Sequence, residues 1–186
     1  MKQDIYFDEL SDRIRKNVYS GVKGRLRLSL VGDDLGQALT SGKPLRILDA
    51  GGGLGQMTVR LVEEGHELSF CEPSGQMMQQ AQAVFEEHGI RDRVQLYACP
   101  VQDLDIRKTG QFDLILFHAV LEWLAEPKAT LQKLLEFLLP GGSISVMFFN
   151  VHSIIISRVF CIKGRFACPI CCLGDYKTNT ACTTYH

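Results

Sequence analysis

Leu45-Arg46-Ile47-Leu48-Asp49-Ala50-Gly51-Gly52-Gly53-Leu54-Gly55 is the stretch that decides the fold. Its first four residues read as a buried strand, and Gln56-Met57-Thr58-Val59-Arg60-Leu61-Val62 reads as the helix that follows. Glycines at such a junction let the backbone bend sharply and approach a ligand more closely than any side chain would allow. Their spacing narrows the ligand. A dinucleotide-binding turn needs glycines at its first, third and sixth positions, and counting from Gly51 the sixth is Gln56. The pattern here is instead Asp-x-Gly-x-Gly-x-Gly, running from Asp49 to Gly55.

Outward from this turn, strands and helices alternate. Leu68-Ser69-Phe70-Cys71 is expected as a second strand, after which Ser74 caps a helix through Met77, Met78, Ala81 and Phe85 that stops at Gly89. Val94-Gln95-Leu96-Tyr97 reads as a third strand. Phe112-Asp113-Leu114-Ile115-Leu116-Phe117 reads as a fourth, apolar enough to be buried on both faces. A helix is expected from Pro127 to Leu139, stopping at Pro140-Gly141-Gly142, and a fifth strand from Ser143 to Phe149. On the N-terminal side, Phe7, Leu10, Ile14 and Val18 recur at helical spacing, and a second helical segment runs from Lys23 to Leu39 around Leu26, Leu30 and Leu35. The alternation specifies an α/β fold: a Rossmann-like parallel sheet with right-handed crossovers and helices on both faces. Ligands of such sheets bind beyond the carboxyl ends of the strands, where strand order reverses. The ends at Asp49, Glu72, Cys99 and His118 are therefore expected to converge on one crevice. Three regions follow: an N-terminal helical lid at 1–40, a Rossmann-like domain at 41–152, and a Cys-rich tail at 153–186.

Composition bounds the function. At 186 residues the chain can bury one respectable core, and its net charge of −1 lacks the positive excess of an autonomous nucleic-acid binder, although local patches can suffice. No run of about 18 apolar residues is present to span a membrane, and Met1-Lys2-Gln3-Asp4-Ile5 is too polar for a signal peptide. A cytoplasmic protein is the expectation. Of seven cysteines, Cys71 and Cys99 are expected as buried thiols. The other five, Cys161, Cys168, Cys171, Cys172 and Cys182, crowd the C-terminal end. An odd total without an export signal argues against a disulfide framework. Cys168 and Cys171 have ligand spacing, but the second Cys-x-x-Cys that a structural zinc site needs is absent, so no metal is expected.

The strand ends carry the candidate site. Glu72 closes the second strand roughly twenty residues past the glycine turn, where a carboxylate can accept from both ribose hydroxyls of an adenosine ligand. Its plain alternative is an exposed Glu at a loop start. Val101-Gln102-Asp103 follows the third strand, where Asp103 can accept an exocyclic amine and a backbone amide can meet a ring nitrogen; a solvated turn is the alternative. Asp49 organises the glycine turn or faces the positive end of a ligand. His118 ends the fourth strand and either touches ligand or serves as a core or capping residue, while Glu122 and Trp123 are read as packing and capping.

The Asp-x-Gly-x-Gly-x-Gly turn resembles the first motif of the class I S-adenosylmethionine (SAM) methyltransferases. Three longer segments are more specific: Asn17-Val18-Tyr19-Ser20-Gly21-Val22-Lys23-Gly24-Arg25-Leu26-Arg27, Leu45 through Gly53, and Asp113 through Trp123 with its Phe-His-Ala-Val-Leu-Glu-Trp run. Together they resemble the family of bacterial tRNA 5-carboxymethoxyuridine methyltransferases, which esterify the carboxylate of a modified wobble uridine. The likeness runs from about Phe7 to His152. It implies SAM as cofactor, tRNA as partner, and cofactor contacts at Arg27, Gly51, Gly52, Glu72, Val101 or Gln102, and His118, to which the reading of the residues adds Asp49, Gly53 and Asp103. Arg27 would reach the methionine carboxylate of the cofactor, a solvated helix face being the plain alternative. Family members usually carry Asp where Glu72 stands. A carboxylate substrate is ionised at neutral pH, so no general base is required and none is assigned; His118 is a positioning candidate. Arg13, Lys23 and Arg25 are available to tRNA phosphates. Past the fifth strand, Cys161 to His186 departs from the family, and the last two strands of a class I methyltransferase are expected to be missing. A class I methyltransferase of small molecules and an inactive or poorly folded relic remain alternatives.

Overall fold

The computed structural model describes Asp4 and residues 22–39 and 42–148. The expected helix around Phe7 to Val18, the cation Arg13 and the tail cysteines lie outside the described residues, as do Phe149 to His152 and the side chains of Lys23 and Arg25. Helix α1 (Val22–Ala38) precedes β1 (Arg46–Ala50), α2 (Gln56–Glu63), β2 (Glu67–Cys71), α3 (Gly75–Glu87) and β3 (Val94–Tyr97). A short α4 (Ile106–Thr109), β4 (Phe112–His118), α5 (Pro127–Glu136) and β5 (Leu138–Met147) complete the described elements. The five strands form one sheet in the order β3-β2-β1-β4-β5. Every neighbouring pair is parallel, as alternating strands and helices require.

Strand alternation sends residues to two cores. Ile47, Leu114 and Leu116 meet Leu35 of α1, Val59 of α2 and Phe85 of α3 on one face. Leu48, Ile115 and Phe117 meet Leu134 of α5 and Phe137 on the other. β4 is buried on both sides, as its unbroken apolar run demands. Ser74 caps α3 by accepting from the Met77 amide at 3.2 Å, and Gly89 just past that helix takes a positive φ of 64°.

Three expectations are corrected. The buried stripe of α1 is Leu28, Val31 and Leu35, continued by Leu39, whereas Leu26 and Leu30 are 57% and 56% exposed. Steps of three and four residues keep the first set on one side of the helix, and Leu26 and Leu30 fall beside it. Helix α5 ends at Glu136 rather than Leu139, because Leu138 pairs with Phe112. From there β5 bulges, with Leu138 opposite Phe112 but Ser143 opposite Leu114. Pro140 cannot donate to a ladder and survives in this irregular stretch, which has no second strand neighbour among the described residues. The third correction is Cys99, which is half-buried, since it lies beyond the end of β3; Cys71 is fully buried.

Helix α1 is fastened to α2 through Arg60. Its Nη1 donates to the Leu28 carbonyl at 3.2 Å and its Nε to Glu64 Oε1 at 2.8 Å. The guanidinium fits because residue 32 is glycine: a Cβ there would lie 1.7 Å from Arg60 Nη1.

Candidate functional site

Strand order reverses between β1 and β4, so their carboxyl ends diverge and leave a crevice. The turn after β1 is built for close approach. The Gly51 and Gly52 amides both donate to the Cys71 carbonyl, at 2.8 and 3.2 Å, which draws the turn over the end of β2. A Cβ on Gly52 would sit 2.3 Å from the Phe70 ring and 2.8 Å from the Asp49 carboxyl carbon. Gly55, with φ 74°, is the N-cap of α2 and lets that helix start against the Phe85 ring, 2.5 Å from where a Cβ would be.

Glu72 braces this turn from the next strand end. It is 5% exposed, and its carboxylate accepts the Gly53 amide at 3.0 Å and the Ser74 amide at 2.9 Å. One carboxylate thus ties the glycine turn to the cap of α3. The exposed loop-start alternative for Glu72 is excluded.

A small open cavity of about 50 Å³ lies at the switch point. Asp49, Gly51 and Gly52 form its β1 wall, and His118, Ala119 and Met147 form its β4–β5 wall. Gln56 and Met57 of α2 close one end, and Leu28 and Val31 bring α1 across it. Asp49 is the acidic pole. Burial pushes its carboxyl up to about 6, partly opposed by the Thr58 hydroxyl, which donates to Oδ2 at 2.7 Å. On the opposite wall His118 Nε2 lies 2.9 Å from Ser145 Oγ, so β5 orients the imidazole. Ala119 holds φ 56°, with its amide donating to the Met147 carbonyl at 2.7 Å. A non-glycine residue in that region is strained, and such strain concentrates at functional sites.

Asp49, Gly51, Gly52 and His118 therefore meet in one cavity. Gly53 and Glu72 stand behind the turn as its brace. Val101-Gln102-Asp103 forms a 3₁₀ turn after β3, with Val101 buried and Asp103 exposed. The Gln102 side chain is engaged elsewhere, its Nε2 donating to Asp4 Oδ2 at 2.9 Å, while its carbonyl accepts from Lys133 Nζ. Asp4 also accepts the Ala125 amide at 2.6 Å, so it joins the loops that follow β3 and β4. Arg27 lies on α1, and its side chain is outside what is described. Sequence reasoning missed Gln56, Ala119 and Asp4. Gln56 had a signal, its place directly after the last glycine; the other two depend on contacts distant in sequence.

The family described as "Methyltransferase domain" matches residues 48–144, over half of the chain, from within β1 to within β5. With the parallel sheet and the glycine turn at its switch point, this defines the class: the chain belongs to the methyltransferase-domain family and has the Rossmann-like fold of the class I SAM-dependent methyltransferases. Within that class it is 40% identical, over 166 residues, to the tRNA 5-carboxymethoxyuridine methyltransferase of Escherichia coli strain K12. The match covers 88% of this chain and 63% of that relative, so the chain spans less than two thirds of the relative's length. Two solved structures share the fold. The PH0226 protein from Pyrococcus horikoshii OT3 superposes with a TM-score of 0.65 at 16% identity, covering 84% of this chain and 70% of its own. The magnesium protoporphyrin IX methyltransferase from Synechocystis PCC 6803, solved with bound SAM, gives 0.62 at 18% identity, covering 86% and 82%. No described helix is long and apolar enough to cross a membrane.

Proposed function

We propose that the chain is a SAM-dependent methyltransferase domain that esterifies the carboxylate of 5-carboxymethoxyuridine in tRNA. The observation that carries the reading is the 40% identity over 88% of the chain to an E. coli enzyme of that name. The residues at the switch point fit the cofactor: a buried acidic pole at Asp49 suits its ammonium and sulfonium charges, and the glycine turn leaves room for its backbone-hugging part. SAM supplies an electrophilic methyl group on a sulfonium that departs as a neutral thioether.

In this reading Asp49, Gly51, Gly52 and His118 hold the methionine half. Glu72, held by the Gly53 and Ser74 amides, also accepts from the ribose hydroxyls. Val101, Gln102 and Asp103 border the adenine, Gln102 through its backbone, and Arg27 pairs with the methionine carboxylate. The acceptor carboxylate, with a pKa of about 4, is already a nucleophile at neutral pH, so the protein needs no general base. Its contribution is alignment and exclusion of water, and orientation can supply about 7–11 kcal/mol in ideal cases. His118, steadied by Ser145, is a positioning residue on the substrate side of the cavity.

The test is methyl transfer from labelled SAM to tRNA bearing 5-carboxymethoxyuridine, beside the same tRNA lacking that modification and a panel of small carboxylic acids. Base-labile label confined to the modified tRNA is expected. Label on small acids alone would transfer the activity to a small-molecule enzyme.

A further inference from the structure

Gln56 is the first residue of α2 and lines the switch-point cavity. Its side-chain oxygen is sealed from solvent and has no hydrogen-bond partner among the described residues. An acceptor shut away from water without a donor is costly, and folded proteins retain such groups where a ligand completes them. The terminal amide torsion of a glutamine is soft, so turning the oxygen toward the cavity costs little.

What would meet it is decided by the neighbouring charge. Asp49 stands on the same cavity, buried, with a carboxyl that pays for its isolation by titrating near 6. A carboxylate ligand group would be repelled there, whereas an ammonium carries three N–H donors and needs several acceptors. We propose that Gln56 is a specificity residue whose side-chain oxygen accepts a hydrogen bond from the primary ammonium of the cofactor's amino-acid part, beside Asp49. The inference rests on the cofactor reading above and deepens it: α2 tells an adenosyl amino acid from an adenosyl thioether lacking the amino acid.

Calorimetric titration tests this with two ligands, S-adenosylhomocysteine and 5′-methylthioadenosine, which share the adenosine and sulfur but differ in the ammonium and carboxylate. Gln56→Leu should weaken S-adenosylhomocysteine about tenfold and leave methylthioadenosine unchanged. Gln56→Glu, which keeps the acceptor and adds charge, should bind S-adenosylhomocysteine at least as well as the wild type. The melting temperature of ligand-free Gln56→Leu should equal or exceed that of the wild type, because the variant removes an unsatisfied acceptor and not a bond. Equal affinity of Gln56→Leu and wild type for S-adenosylhomocysteine would overturn the proposal, as would equal weakening of both ligands. Weakening of S-adenosylhomocysteine by Gln56→Glu would assign the residue to the carboxylate instead and also overturn it. Wild-type protein that binds neither compound would overturn the cofactor reading, and this inference with it.

Discussion

At the scale of single residues, Asp49 is the group on which stability and function pull against each other. Its carboxyl titrates near 6 in the folded protein against 3.8 when unperturbed. A raised pKa means that the folded state holds the proton more tightly. The favourable contribution is therefore complete below 3.8 and is lost as pH rises through 6. The difference of about two units puts the cost of the charged form near 3 kcal/mol at neutral pH. Asp49→Asn should accordingly raise the melting temperature of the ligand-free protein at pH 7 and flatten its pH dependence between 4 and 6. The same variant should lose affinity for S-adenosylhomocysteine, and wild-type affinity should fall as pH drops below 6. Thermal scans and titrations across pH read both halves; a destabilised Asp49→Asn would contradict the assignment. Asp49, Gly51, Gly52 and His118 were legible because strand ends converge in any parallel sheet. The sealed oxygen of Gln56 and the positive φ of Ala119 were not; the latter depends on the Met147 carbonyl, brought in from β5.

At the scale of elements, α1 matters most, since Leu28 and Val31 form part of the cavity wall. Arg60 and Gly32 hold it in place, and their coupling is measurable. Alanine in a helix interior is favoured over glycine by about 1 kcal/mol. In the wild type, Gly32→Ala should realise little of that gain, because its Cβ displaces the Arg60 guanidinium from the Leu28 carbonyl. In an Arg60→Ala background the full gain should appear. Denaturant unfolding of the four proteins gives the non-additive term, and strict additivity would remove Arg60 as the fastening. The caps of α2 and α3 were legible as glycine and serine punctuation. The end of α5 was not, because Leu138 and Leu139 continue an apolar run and only pairing with Phe112 claims Leu138 for β5.

For the whole molecule, the strand alternation sufficed to foresee a parallel sheet whose order reverses beside the glycine turn. What it did not carry was Asp4, whose carboxylate joins Gln102 and Ala125 across 98 and 121 residues of sequence. Such ties have no local signature. They bring together the loops beyond β3 and β4, where the adenine end of the ligand is proposed to lie. The central claim is that this crevice binds an adenosyl amino acid, and thermal unfolding with and without S-adenosylhomocysteine tests it most directly. Ligand at about a hundred times its dissociation constant should add about 2.7 kcal/mol to the native state. For a chain of this size that is a rise of roughly 5–10 °C in the midpoint. A cooperative transition that does not move at saturating ligand would contradict the claim.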